Sequence, residues 1–481
     1  MAEAINRNTV VNSMWWKVLE RFSSQFMNLF IQIVLARILL PEDFGSLAII
    51  NAIIVYCAIF VQSGLSTAIV QKKELDREDV PTLLTTSLTI ALVLYIPLFF
   101  LAPTIAEYYK LSNLVWPLRI EALILFLGAI NSIQTAIYQR RMAFKALFFR
   151  SLLAVPISGA IGIVMAYKGF GIWALVAQSI IHYVVFIVFM SFDPSARFGF
   201  GFSKKSAKEL YSFSGKILLS NLVSGFGDTV RTMTIGKKYT PDRLAFYDKA
   251  YSYSSLVTQV VTTSMASVLL PTFSRSQDER SNLLRMSRLS VRLVSFVMMP
   301  ALMGVAIAAE PLVVLLLSSK WAPCVPFLIV FCFLRLPCCI TTIDKQVYFS
   351  IGNSSIAMFY EVGLLAVNLL TLFFTVRISI MAIAIGAMIV ELLGNIVLCI
   401  VSSKVYGYSI SFRLSDIWRP ALCTLAMAGI GVSVYLLHLN HIWTLSLQIV
   451  LCLATYYCMS CIFNKEILSY VREIVKNKIH K

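Results

Sequence analysis

The chain has 481 residues, of which 58% are hydrophobic and 14% charged, with a formal net charge of +17. Soluble domains carry about 25% charged residues, so an ordinary soluble domain is excluded, and apolar stretches of helical length without period-two alternation exclude a transmembrane barrel. The excess of Lys and Arg suits cytoplasmic loops better than a nucleic-acid surface.

Residues 1–11 hold one arginine and no small-residue cleavage pattern, so the first apolar segment is expected to be retained. Hydropathy and period then predict six spans in a first half, at 12–36, 45–69, 81–103, 115–137, 147–166 and 170–190. A basic stretch follows at 191–209. Six further spans fall at 210–234, 246–272, 287–308, 322–348, 355–376 and 380–402, and two more at 418–437 and 441–463. The expected fold is an all-α polytopic membrane protein of about fourteen helices, in two pseudo-symmetric six-helix lobes with a C-terminal pair. Its expected parts are 1–200, 201–410, and 411–481 with a basic tail.

Alternate loops are rich in Lys and Arg: Lys72, Lys73 and Arg77; Arg140, Arg141 and Lys145; Arg197 to Lys208; Arg275 to Arg288; Lys404, Arg413 and Arg419; and the tail. The opposite loops hold far fewer, which places both termini in the cytoplasm. An internal echo supports two halves. Pro41-Glu42-Asp43-Phe44-Gly45 opens the second span, and Pro241-Asp242-Arg243-Leu244-Ala245 opens the eighth two hundred residues later.

The informative residues are charges inside the apolar spans, each costing about 2.5–3.5 kcal/mol on insertion scales. In the first span Lys17, Arg21, Ser24, Asn28 and Gln32 share one helical face, with Glu20 beside them. In the seventh, Lys216, Ser220, Ser224, Asp228 and Arg231 make a similar stripe. Two readings stand. In one, Arg21, Lys17, Lys216, Arg231, Arg335 and Lys249 line a cationic, water-filled cavity for an anionic substrate. In the other, these groups pair among themselves, and those near span ends, such as Arg119, Arg150, Lys249 and Arg292, reach toward the interface. The acids Glu20, Asp228, Glu361 and Glu391 are candidates for coupling to a proton or Na⁺, or are counter-ions to basic neighbours.

No catalytic constellation appears. The four histidines are too scattered for a convincing metal site, and no GxxxxGK[ST], GxSxG or HExxH occurs. The ten cysteines lie mostly in apolar segments and read as packing residues; Cys458-Met-Ser-Cys461 has no nearby histidine. No cofactor, metal or nucleic-acid partner is expected.

Several segments resemble one family. Residues Ala36-Arg37-Ile38-Leu39-Leu40-Pro41-Glu42-Asp43-Phe44-Gly45 resemble the first outer loop of bacterial polysaccharide flippases. Gly64-Leu65-Ser66-Thr67-Ala68-Ile69-Val70-Gln71-Lys72-Lys73 resembles the end of their second helix. Gln139-Arg140-Arg141-Met142-Ala143-Phe144-Lys145 and Gly169-Phe170-Gly171-Ile172-Trp173-Ala174-Leu175-Val176 are similar to the next two landmarks. Ile235-Gly236-Lys237-Lys238, Tyr247-Asp248-Lys249-Ala250-Tyr251 and Leu270-Pro271-Thr272-Phe273-Ser274 follow in order. Asp248-Lys249 departs from the family's usual neutral-then-basic pair. The likeness, over residues 10–460, is to the lipopolysaccharide and exopolysaccharide exporters of the multidrug/oligosaccharidyl-lipid/polysaccharide superfamily, closest to the colanic and teichuronic acid subgroup.

The resemblance implies a fold like that of the superfamily's multidrug exporters. It also implies that the chain is not an enzyme but moves an undecaprenyl-diphosphate-linked oligosaccharide across the bacterial inner membrane by alternating access. Membrane lipids would be partners, with polysaccharide polymerase and chain-length proteins acting downstream. The alternatives are a cation-coupled multidrug exporter of the same superfamily and a membrane polysaccharide polymerase or ligase. A drug exporter should be acidic at depth, and a polymerase should carry a large outer loop, whereas the longest here spans 104–114.

Overall fold

The computed structural model describes residues 7–62, 69, 70, 72, 75–193, 199–274 and 279–469. Among these the chain is helical almost throughout. In order, the helices are α1 (Arg7–Ile38), α2 (Pro41–Gln62), α3 (Asp79–Tyr109), α4 (Val115–Glu121), α5 (Ile124–Arg140), α6 (Phe144–Tyr167), α7 (Ile172–Ser191) and α8 (Lys204–Lys238). They continue as α9 (Pro241–Ser274), α10 (Arg280–Ile307), α11 (Ala309–Leu317), α12 (Val325–Arg335), α13 (Cys338–Ser350), α14 (Ser354–Thr375), α15 (Ile380–Tyr406), α16 (Ile410–Ser433) and α17 (His441–Phe463).

Eleven helical stretches of the described residues are long and apolar enough to cross a membrane. They coincide with eleven of the expected spans. The helices α1, α8 and α9 are long enough at 32, 35 and 34 residues, but are not among the eleven. Two of these three carry the polar stripes of the first and seventh expected spans. A stripe facing protein or water lowers the mean hydropathy of a helix, so a composition test passes it over.

Local chemistry sets the helix ends. Pro41 and Pro241 each open a helix, where the missing N–H costs nothing. Ser379 and Ser409 cap α15 and α16 by accepting from the Ala382 and Phe412 N–H groups at 3.0 and 3.4 Å. The turn between α6 and α7 requires positive φ at Gly169 (78°) and Gly171 (54°). Two spans are interrupted: the fourth between Glu121 and Ile124, and the tenth between Arg335 and Cys338, where Pro337 removes a donor.

Chain contacts group the residues into two units, Met1–Ala245 and Phe246–Lys481. In the first, α1 packs on α6, α6 on α7, α2 on α8, and α3 on α5. The two echoing motifs meet here. A Cβ on Gly45 would lie 1.7 Å from the Pro241 carbonyl oxygen, so the starts of α2 and α9 touch backbone to backbone. Gly45→Ala is therefore expected to destabilise the fold by about 1–3 kcal/mol through overpacking, read as a lower unfolding midpoint in detergent. A midpoint equal to the unsubstituted protein would refute that contact.

The same unit holds a polar fastening at the start of α3. Lys72 lies 2.8 Å from the buried Asp79 carboxylate and 3.3 Å from Glu209 on α8, and Asp79 also accepts the Asp76 N–H at 2.9 Å. The hydrogen bond to Asp79 holds the Lys72 ammonium above the usual lysine range.

In the second unit α10 packs on α12, α13 and α16, and α14 packs on α15. The C-terminal helices belong to this unit. Tyr435 and Tyr456 donate to the carbonyls of Ile307 and Phe296 at 2.9 and 2.6 Å. Two buried acids complete the join. Arg413 grips Asp344 with both terminal nitrogens at 2.8 Å. Asp416 accepts from Arg288 Nε at 2.8 Å, Arg292 Nε at 2.6 Å and the Tyr408 hydroxyl at 3.0 Å. Burial, with the Asp416 charge beside it, pushes the Tyr408 hydroxyl above its ordinary range. Arg292, read from sequence as able to reach the interface, is thus anchored by a carboxylate.

Candidate functional site

The charges within the spans divide between the two units. In the first unit, α1 carries its stripe largely exposed. Lys17, Arg21 and Asn28 are exposed, Glu20 and Ser24 are half-buried, and Gln32 turns toward Gln178 at 3.5 Å. Lys17 Nζ lies 5.4 Å from the centre of the Phe144 ring. Glu20 interacts with Arg21, Ser24 and Lys17 through their charges and hydroxyl. On α8, Asp228 and Arg231 are joined to each other, one a coupling candidate and the other a substrate-binding candidate. An i,i+3 pair of this kind neutralises both partners locally. The side chain of Lys216 lies outside those described.

The second unit assembles a denser group. Arg335 is the last residue of α12, immediately before the Pro337 break. Its guanidinium sits 4.4 Å from the centre of the Tyr251 ring, and Tyr251 in turn packs edge-on against Phe331. The Arg335 Nε has no hydrogen-bond partner among the described residues. Lys345, one helix on, pairs with Glu361 on α14 and lies 5.6 Å from the centre of the Tyr360 ring. Glu391 on α15 interacts with Lys345, Glu361 and Arg335. Four helices, α12 to α15, thus bring two cations and two acids together. Lys249 on α9 is half-buried and interacts with Asp248.

The described cationic candidates differ in their partners. Arg231 has an acid of its own helix, while Arg21 and Arg335 have no carboxylate within salt-bridge distance among the described residues. A cation held by an aromatic face rather than a carboxylate keeps its charge available to an incoming anion. Lys345, Tyr251 and Tyr360 joined the group only in three dimensions. Lys345 was visible as a charge in an apolar span, but its partner Glu361 is sixteen residues away on another helix. Glu391 has no basic residue one turn away in sequence, and gains two through packing.

The family comparison agrees with this architecture. A model described as "Polysaccharide biosynthesis protein" matches residues 34–326. The chain belongs to the polysaccharide biosynthesis protein family. Among curated relatives, the succinoglycan biosynthesis transport protein ExoT of Rhizobium meliloti (strain 1021) is 26% identical over 331 residues, 68% of this chain and 66% of that one. The teichuronic acid biosynthesis protein TuaB of Bacillus subtilis (strain 168) is 23% identical over 79% of this chain and 80% of its own. Among solved structures, the lipid II flippase MurJ in an inward closed conformation superposes with a TM-score of 0.77 at 16% identity, covering 94% of this chain and 99% of that one. An inward-facing multidrug resistance transporter of the MATE family and MOP superfamily gives 0.62 at 16% identity, covering 82% and 94%. At such identities the structural likeness establishes the fold alone: an all-helical, multi-pass membrane protein of the polysaccharide biosynthesis family with the architecture shared by those two transporters.

Proposed function

We propose that the protein is a flippase that moves a lipid-linked oligosaccharide, carried on a diphosphate, from the cytoplasmic to the outer leaflet of a bacterial plasma membrane. The observation that carries the proposal is Arg335, a guanidinium within an apolar span whose Nε has no hydrogen-bond partner among the described residues and whose face lies against the Tyr251 ring. A diphosphate cannot cross hydrocarbon unless protein replaces its water. A forked cation does so with charge and directed hydrogen bonds together. The glycan follows the charged group, and the polyprenyl tail stays in lipid. Alternating access presents the site first to one side, then to the other.

Glu361 and Glu391 beside Lys345 supply the means of coupling. A cation or proton arriving at these acids changes the local charge by one unit and so alters the hold on an anion nearby. The alternation of basic loops supports cytoplasmic termini. Polymerase and chain-length proteins are the expected consumers of the product. The names of ExoT and TuaB favour a polysaccharide precursor over a drug.

The test is leaflet transfer by the full chain in liposomes loaded with a fluorescent polyprenyl-diphosphate sugar. Protein-dependent transfer without covalent change is the expected result. New glycosidic bonds, or transfer of a cationic dye in its place, would overturn the reading.

A further inference from the structure

Glu121 closes α4 at the interruption of the fourth span, and it is 1% exposed. Neither carboxyl oxygen has a hydrogen-bond partner among the described residues. The Ser179 hydroxyl of α7 lies close enough to act on this carboxyl, and it donates to the Leu175 carbonyl at 3.1 Å. The neighbouring basic residue of its own helix, Arg119, is turned away. Arg119 Nε donates to the Phe99 carbonyl at 3.0 Å, and its guanidinium lies 4.2 Å from the Phe99 ring centre and 5.1 Å from that of Trp116.

The elements packed on α4 are α2, α3 and α7. From α7 the ionisable group facing Glu121 is Tyr183. The acids of α2 and α3, namely Glu42, Asp43, Asp79 and Glu107, lie at helix ends. Among the described residues no cation therefore balances a charge at this position. A buried carboxylate without a partner is not tolerated as an ion, so the residue takes a proton instead.

The position within the fold adds a second argument. Broken helices at membrane depth occur where the freed backbone serves a buried site. In the second half the corresponding fourth span breaks just after a charged residue too, at Arg335. At the first break the backbone bonds reach back three residues instead of four, with Leu123 donating to the Ile120 carbonyl and Leu125 to that of Ala122, each at 3.1 Å. The break thus gives the span a place to bend beside the acid.

We propose that Glu121 is a proton-binding site within the first helical unit, neutral when buried as here and ionised when rocking admits water to the break. The step is a simple protonation: the carboxylate gains a proton from the aqueous phase on the outer side and releases it when water next reaches it. Coupling through Glu121 rests on the flippase reading; the protonation itself does not.

The full chain in liposomes provides the test. Infrared spectra at neutral pH are expected to show the C=O stretch of a protonated carboxyl that moves in heavy water and vanishes in Glu121→Gln. Ser179→Ala, which leaves the acid in place, should keep the band at a displaced frequency. A band of equal intensity in the wild type and Glu121→Gln, or none in the wild type, would overturn the proposal. In the transport assay an imposed pH gradient should accelerate wild-type leaflet transfer several-fold and leave Glu121→Gln unaffected. A gradient response in Glu121→Gln equal to the wild type's would refute the coupling. Failure of wild-type transfer, with the infrared band present, would instead sink the flippase reading and spare the site.

Discussion

Replacing Arg413 with methionine is expected to destabilise the second unit by about 3–5 kcal/mol, because it strips a buried carboxylate of its partner. The Arg413 side chain is 3% exposed and that of Asp344 is fully buried. The guanidinium forms two parallel bonds of 2.8 Å to the two carboxyl oxygens, and the Tyr406 hydroxyl completes the acid's shell. At that burial, solvent does not reach the carboxylate to replace the cation. The measurement is the unfolding midpoint in detergent. The double variant Arg413→Met with Asp344→Leu should recover most of the loss, since a well-packed apolar pair of similar volume is often as stable as a buried ion pair. If Arg413→Met alone leaves the midpoint unchanged, the join between α13 and α16 does not depend on this pair.

Arg335→Gln should leave the fold intact and weaken transport. Hydrogen bonds to charged groups contribute about 1.5–3 kcal/mol, which corresponds to roughly 10- to 150-fold in affinity for the diphosphate. The loss should appear in direct binding of the lipid-diphosphate sugar and in the rate of leaflet transfer alike. Arg335→Lys should recover part of it, because an ammonium keeps the charge but not the fork. Tyr251→Leu should lower affinity less, by freeing the guanidinium from its ring without removing it. Transport at the unsubstituted rate in Arg335→Gln would remove the residue from the substrate site.

Much of the architecture is written locally. The spans α6, α7, α14, α15 and α17 begin and end within a few residues of where their hydropathy places them, because a membrane helix satisfies its backbone within itself, whereas α3 runs six residues past its expected end and α16 starts eight residues early. Pro41, Pro241, Gly169, Gly171 and Gly407 punctuate the chain by local conformational rules alone. The breaks at Glu121 and Arg335 were not legible, since Pro117 and Pro337 lie inside apolar runs that read as continuous spans. The helices α1 and α8 were legible as striped, but which groups their stripes meet was not. Asp228 and Arg231 were adjacent on one face from the start, so their pairing follows from helical geometry alone.

The sequence by itself determined that this chain is a many-helix membrane protein, where its helices run, and that charges lie within them, since length, hydropathy and periodicity act over a few residues at a time. Only the tertiary structure decided which charges are satisfied. Lys345 found Glu361 on the next helix, and Arg413 found Asp344 and Arg292 found Asp416 across helices far apart in sequence, while Glu121 found no charged partner among the described residues. The physical reason is range. Helix formation is settled by neighbours along the chain, but the fate of a buried charge is settled by whichever helix packing brings within hydrogen-bonding distance.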